Sequence, residues 1–550
     1  MNVVKACVIA ALAGLAGQLL LSGHPAAAAP QAVMDPPILG RIIGEATENS
    51  RVMEHLFYLT DVYGSRLTGS PGFSASGEWA VKTLQGYGLG DVRKEPLGPV
   101  SLGGGVLWSG RGWSFSKCSV RMLEPQQTPL LAIPAGWSEG THGLVSGPAI
   151  FAPFPALYEE DLAAYFTKFQ GQLKGKIVML ADQPRPIDPQ SAGAFLRFSE
   201  DELAQIARAP EPVSRPAPAG PPPAARPRLS VQQQLDGWNT LFAFLKKEGV
   251  LALVEPAKGQ GGTLFTRDQL GPPDPSPDPP PTVSVASEHY NRLVRLMKNG
   301  IPVTLEIEVE AQFHLNQDHF NVLADLPGTS RKDEVVMLGA HLDSWFGATG
   351  ATDNAAGVAV VMEAARVLKA LNLRLDRTVR IALWGAEEAN GAGSKAYVAK
   401  YLLDPKTGER KPLYDKLSVY LNIDNGAGKI RGIYLQGNLG AKATFDAWMR
   451  PLGALGATTV SVRDSYGSDH MAFDGAGIPA FAVIQDPLNY ESRTHHSTMD
   501  AADYVPAEDL RHRQPRWQLW HTKRPLPRKW CRAKCRLEQS SAETAWQYSS

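Results

Sequence analysis

From His319 onward, short apolar runs alternate with stretches whose apolar positions recur at helical spacing. HFNVLADL, VVMLGAH, VRIALWGA, SVYLNIDN, IRGIYLQG and IPAFAVIQ read as strands. Between them, Asn354–Leu371, Gly393–Leu402 and Ala441–Leu455 read as helices. In the first of these, Val358, Val361, Met362, Ala365 and Leu368 fall on one face. Such alternation predicts an α/β fold, with a mixed, largely parallel sheet flanked by helices.

The pattern upstream is different. Ile42, Ile43, Val52 and Leu56 carry helical spacing within Ile38–Leu59, and Ser74–Gly86 reads as an amphipathic helix. After Pro96, short β-like runs (LLAIPAG, GLVSGPAIF, GKIVMLAD, GVLALVEP, PTVSVAS) are separated by Gly and Pro. Two proline-dense segments, Arg208–Arg228 and Gly271–Pro281, exclude helix interior and central strand and read as loops. Loops so long are uncommon in one compact domain. Residues 101–312 are therefore expected to be an inserted β-rich domain, between an N-terminal part at 30–100 and the main α/β domain at 313–510.

The ends of the chain change the picture again. Lys5, the apolar Ala6–Leu21 and the small residues Ala26–Ala29 form a secretory signal peptide over 1–29, too short and wrongly flanked for a membrane span. Export to a secreted or periplasmic location follows. The helix that begins at Pro506 breaks into a basic, Trp-bearing tail without helical period over 511–550. That switch falls mid-helix, so the tail reads as a shifted frame rather than a nucleic-acid or membrane-binding segment. The idea fails if the other reading frames past codon 510 encode no amphipathic helix. Formal charge is balanced, 55 basic against 55 acidic residues, which argues against nucleic acid or an anionic membrane as main partner.

Polar residues gather at the predicted strand ends. His341 closes one strand, and Asp353 stands where the next helix begins. Glu387 and Glu388 follow a third strand, Asp424 follows a fourth, and His495 and His496 lie in the loop after a fifth. In an open α/β sheet these positions share one rim, where ligands bind. Imidazole and carboxylate donors suit zinc. The set exceeds what one tetrahedral ion needs. It matches two ions about 3.5–4 Å apart bridged by one carboxylate, with one acid left as a general base.

GAHLDS, GATDNAAG, WGAEE, NIDN, GSDHMAF and HHSTMD, in this order, resemble the M28 family of zinc peptidases, and the insert and the HHS form are most similar to its carboxypeptidase Q (plasma glutamate carboxypeptidase) branch. The resemblance spans Val52–Lys94 and His319–Leu510, and GLVSGPAIF and LKGKIVML make the insert similar to a protease-associated domain. It implies two Zn2+, with His341 and Asp424 as terminal ligands, Asp353 bridging, and Glu388 and His496 on the other ion. It also implies Glu387 as base, Asp343 and Asp500 as supports of the ligands, and a cis peptide at Asp353–Asn354. His495 stands where several relatives carry a carbonyl-polarising Tyr, and Tyr466 and Asp469 lie in a loop expected near substrate, along with Ser468 and His470. The implied reaction is hydrolysis of peptide bonds at free N-termini or in dipeptides. The insert would roof the site or form a homodimer surface. The alternatives on this fold are an inactive binding protein and a single-zinc glutaminyl cyclase.

Overall fold

The computed structural model describes residues 36–97, 101–102, 106–107, 111–187, 196–212, 229–266, 278–314 and 319–510. The signal-peptide reading of 1–29 and the tail reading of 511–550 fall outside these residues.

The main sheet has eight strands. Across the sheet they run Gly90–Pro96, Phe320–Leu326, Arg377–Trp384, Arg331–His341, Leu417–Asn422, Ala480–Gln485, Ile430–Tyr434 and Thr459–Ser461. The four strands from Arg377–Trp384 to Ala480–Gln485 are mutually parallel, while the joints on either side of them are antiparallel. Parallel strands covered on both faces read as continuous apolar runs. Accordingly, Val335–Leu338 and Ala480–Gln485 are buried throughout.

The helix Ala356–Ala370 lies on this sheet and is more buried than a one-faced pattern predicts: every residue from Ala356 to Leu368 is buried. The reason lies upstream. The helices Pro36–Glu48 and Val52–Phe57 cover its outer side, so Ile42, Val52 and Leu56 share one core with Val358, Val361 and Leu368. Each such aliphatic side chain contributes about 1.5–3 kcal/mol by leaving water. The two charges enclosed with it are paired: Arg366 donates to Glu363 at 2.9 Å and to Glu45 at 2.6 Å.

A second eight-stranded sheet is built from residues of the 112–314 region. Its order is Thr128–Leu130, Gly112–Glu124, Thr304–His314, Val145–Phe151, Ile177–Met179, Ala252–Pro256, Thr282–Val285 and Ala132–Pro134. The β-like runs quoted above all supply strands of it. The region also contains helices that the strand pattern did not place: Glu159–Phe169, Glu200–Ala207, Val231–Glu248 and Ser287–Lys298. Two of them announce themselves by capping boxes, Ser199 with Glu202 and Ser230 with Gln233. Cys118, on its strand Gly112–Glu124, is a free thiol.

Candidate metal centre

The four parallel strands end on the same edge, and each delivers acids or histidines at its last residue or in the loop beyond it. His341 closes its own strand and is fully buried. Glu387 and Glu388 follow the strand ending at Trp384, Asp424 follows the strand ending at Asn422, and His495 and His496 follow the strand ending at Gln485. Asp353 sits in the turn that opens the helix Ala356–Ala370, and its peptide bond to Asn354 is cis.

Asp353 divides the site. Its Oδ1 lies 3.1 Å from His341 Nε2, which is also 3.1 Å from Asp424 Oδ1. Its Oδ2 lies 3.2 Å from His496 Nε2, which is 2.9 Å from Glu388 Oε2. The structure thus gathers the residues named on strand-end grounds. Donor atoms of His341, Glu387 and Asp424, of His341, Asp353 and Glu388, and of Asp353, His495 and His496 form three sets, each within 4.8 Å.

The electrostatics are those of crowded acids and bases. Burial alone would lower the His341 pKa, but the charge of Asp424 and the hydrogen bonds of Asp343, Asp353 and Asp424 raise it well above the usual value. His496 behaves likewise: burial opposes its charge, while Glu388 and Asp353 raise it to about 11. Burial would raise Asp353, yet the two histidines hold it well below the usual carboxylate range. Burial and the Asp353 charge push Glu388 up to about 7, and burial raises Glu387 well above the ordinary value. Asp353 Oδ2 and Glu388 Oε1 are buried and accept no hydrogen bond among the described residues. Buried acceptors left this way are costly. A divalent cation between the histidines and carboxylates relieves both the orphaned acceptors and the repulsion among the acids, and the imidazole–carboxylate donor set fits zinc.

Surrounding residues hold the donors in place. The Nδ1 of His341 lies 3.0 Å from the backbone carbonyl of Asp343, which favours a tautomer with its Nε2 lone pair facing Asp353 and Asp424. The Asp343 carboxylate also lies against this Nδ1, at 3.6 Å, and is shared with other donors. It accepts the backbone N–H groups of Glu387 and Glu388, each at 3.2 Å, and the Thr68 hydroxyl at 2.6 Å. Asp500 accepts the Thr352 N–H at 2.6 Å and hydroxyl at 2.7 Å, and the Asp353 N–H at 3.1 Å. Arg66 is fully buried and donates to the carbonyls of Leu59, Leu342, Thr349 and Gly350, tying down the chain between His341 and Asp353. Arg66 and Thr68 escaped the sequence reading. They stand between the two N-terminal helical patterns, far along the chain from every motif.

His495 stacks on Tyr490 at 4.6 Å, and its Nδ1 is 3.4 Å from Glu491 and its Nε2 3.8 Å from Asp353. Burial opposes its charge, but the hydrogen bond to Glu491 and the Asp353 charge raise its pKa. Tyr466 is 65% exposed and donates to Asp464 at 2.8 Å. Asp469 is buried, and burial raises it to about 8. Ser468 accepts from Asn422 at 2.7 Å, in a buried chain that continues through Tyr420 to Trp384. His470 is buried, with Nε2 3.1 Å from the Ser465 carbonyl.

Known proteins share this arrangement of sequence and fold. The family model described as Peptidase family M28 matches residues 321–518. Carboxypeptidase Q of Homo sapiens is 24% identical over 463 residues, covering 82% of this chain and 81% of the human protein. Leupeptin-inactivating enzyme 1 of Streptomyces exfoliatus is 33% identical over 161 residues, covering 29% of this chain and 34% of that protein. Among solved structures, a peptidase M28 precursor from Shewanella amazonensis SB2B superposes with a TM-score of 0.56 at 23% identity, covering 85% of this chain and 91% of that one. The family match over residues 321–518 and these relatives together support an M28-type zinc peptidase.

Proposed function

We propose that this chain is an exported di-zinc exopeptidase that hydrolyses peptide bonds at free N-termini or in dipeptides. The observation that carries the reading is the division of Asp353, with one oxygen facing His341 and Asp424 and the other facing His496 and Glu388. In this reading His341, Asp353 and Asp424 hold one zinc, and Asp353, Glu388 and His496 hold the second. Zinc bound there supplies Lewis-acid chemistry, making water a better nucleophile and stabilising charge on the scissile carbonyl oxygen.

The chain's own residues do the rest. Glu387 is the acid left over from ligation, and its pKa is raised by burial. A raised pKa brings a carboxylate closer to the working pH of a base. It takes the proton of the attacking water and passes it to the leaving amine as the C–N bond breaks. His495 keeps Nδ1 towards Glu491, so its other nitrogen serves as the donor to the substrate carbonyl. Asp343 and Asp500 act through backbone N–H groups, fixing Glu387, Glu388 and Asp353 before substrate arrives. Export rests on the signal-peptide pattern of residues 1–29. No helix among the described residues is long and apolar enough to cross a membrane.

A panel of dipeptides, longer peptides and N-acetylated peptides tests the assignment. Free-amine substrates should be cleaved, N-acetylated ones spared, and chelation should abolish cleavage until zinc is returned. Equal cleavage of N-acetylated peptides would remove the exopeptidase reading.

A further inference from the structure

The second sheet's region reaches into the metal centre. Just past the strand Ala252–Pro256, the chain turns back on itself and runs alongside the loop that carries His496. Phe265 and Ser497 form an antiparallel bridge. Thr498 donates its N–H to the Leu264 carbonyl at 2.9 Å, and Leu264 donates back to the Thr498 hydroxyl at 3.2 Å. At the end of this short ladder stands Thr266, 5% exposed. Both its donors converge on one atom: its backbone N–H reaches the His496 carbonyl oxygen at 2.7 Å, and its hydroxyl reaches the same oxygen at 2.8 Å.

His496 needs that support. Its φ is +55°, in the left-handed region that non-glycine residues seldom adopt. Such a conformation persists only where its surroundings over-determine it. The imidazole is backed from the side as well. Its ring centroid lies 5.5 Å from Trp345, and Trp345 meets Trp137, also from the second sheet's region, edge-on at 6.1 Å. Gly347 packs closely against Thr266: a Cβ there would lie 2.7 Å from its methyl group.

We propose that Thr266 is a positioning residue for the second zinc. By donating twice to the His496 carbonyl, it holds the backbone in the one conformation that aims Nε2 at Glu388 and Asp353. The inference rests on the di-zinc reading above. It makes the second sheet's region part of the catalytic centre.

The test compares Thr266→Val, which removes the hydroxyl and keeps the shape and backbone N–H, with Thr266→Ser, which restores the hydroxyl, and with His496→Ala. Zinc is the probe, titrated by chelator competition alongside the melting temperature of the metal-free protein. Thr266→Val should weaken one of the two ions about tenfold, the low end for supports of ligands, leave the other ion and the metal-free melting temperature unchanged, and lower kcat with KM unchanged. Thr266→Ser should restore wild-type affinity. Unchanged zinc affinity in Thr266→Val, equal weakening of both ions, or failure of Thr266→Ser to rescue overturns the positioning role. A fall in metal-free melting temperature without a change in zinc affinity does so too, by showing a purely structural bond. If His496→Ala still binds two ions with wild-type affinity, the ligand assignment itself has failed and the positioning role falls with it.

Discussion

The Asp343 carboxylate accepts the backbone N–H of Glu388 through Oδ2 at 3.2 Å. Its other oxygen accepts the N–H of Glu387 at the same distance, so one side chain sets the position of both adjacent acids. Asparagine at this position keeps only one acceptor oxygen and turns an NH2 group towards the other N–H. Asp343→Asn should therefore lower kcat/KM by about 10–100-fold in a folded protein, with Thr68→Val, which removes the third donor to the same carboxylate, showing a smaller loss. Wild-type kcat/KM in Asp343→Asn would refute the positioning role.

Glu387 and Glu388 are neighbours with different assignments. Glu387→Gln should reduce kcat by about 10²–10⁴-fold, the usual worth of a general base, while zinc content stays at the wild-type level. Glu388→Gln should instead lose zinc. Metal analysis beside steady-state kinetics separates the two, and zinc loss in Glu387→Gln would show that it ligates.

The strand-end chemistry was legible in the sequence where a donor closes or closely follows an apolar run, because the topology of a parallel sheet brings such positions to one edge. His341, Asp424 and Glu388 are examples. The supports were not legible, for a physical reason. Arg66, Thr68 and Thr266 act on the site through backbone carbonyls or a carboxylate that tertiary folding brings to them. No local pattern marks a residue whose partner is hundreds of positions away. The helix Val231–Glu248 is a different case. Its capping box at Ser230 and Gln233 is present in the sequence, but it stands between a proline-dense segment and a β-like run, whose signals conflict with it. The helix Ala356–Ala370 shows the limit of periodicity: its burial on every side depends on two helices far upstream.

Gly339 lies in the strand Arg331–His341, where a Cβ would come 2.6 Å from the Tyr420 hydroxyl and 2.8 Å from Trp384 Nε1. Those two atoms are already hydrogen-bonded to each other at 2.7 Å. Gly339→Ala should cost about 1–3 kcal/mol by overpacking, read as a lower denaturation midpoint. An unchanged midpoint would mean that the Trp384–Tyr420 pair yields without cost.

His55 supplies a pH dependence away from the metals. It is buried between the Ala359 carbonyl at 3.4 Å and the Tyr87 hydroxyl at 2.6 Å, and burial lowers its pKa to about 4. The folded state therefore keeps it neutral while the unfolded chain takes up a proton below about pH 6.5. Where the unfolded state binds more protons, stability falls as pH falls, so this group should cost up to about 3 kcal/mol between pH 6.5 and 4. His55→Gln removes that titration. Melting curves across this range should show a shallower acid loss in the variant, and parallel curves would contradict the assignment.

The most direct measurement is a zinc titration of the chelated protein, following hydrolysis of a free-amine dipeptide together with bound metal per chain. The account predicts saturation at two ions, with Asp353→Ala binding neither tightly and His496→Ala retaining one. Full activity at a single bound ion, or undiminished zinc binding in Asp353→Ala, would contradict the bridging role of Asp353 on which the di-zinc reading stands.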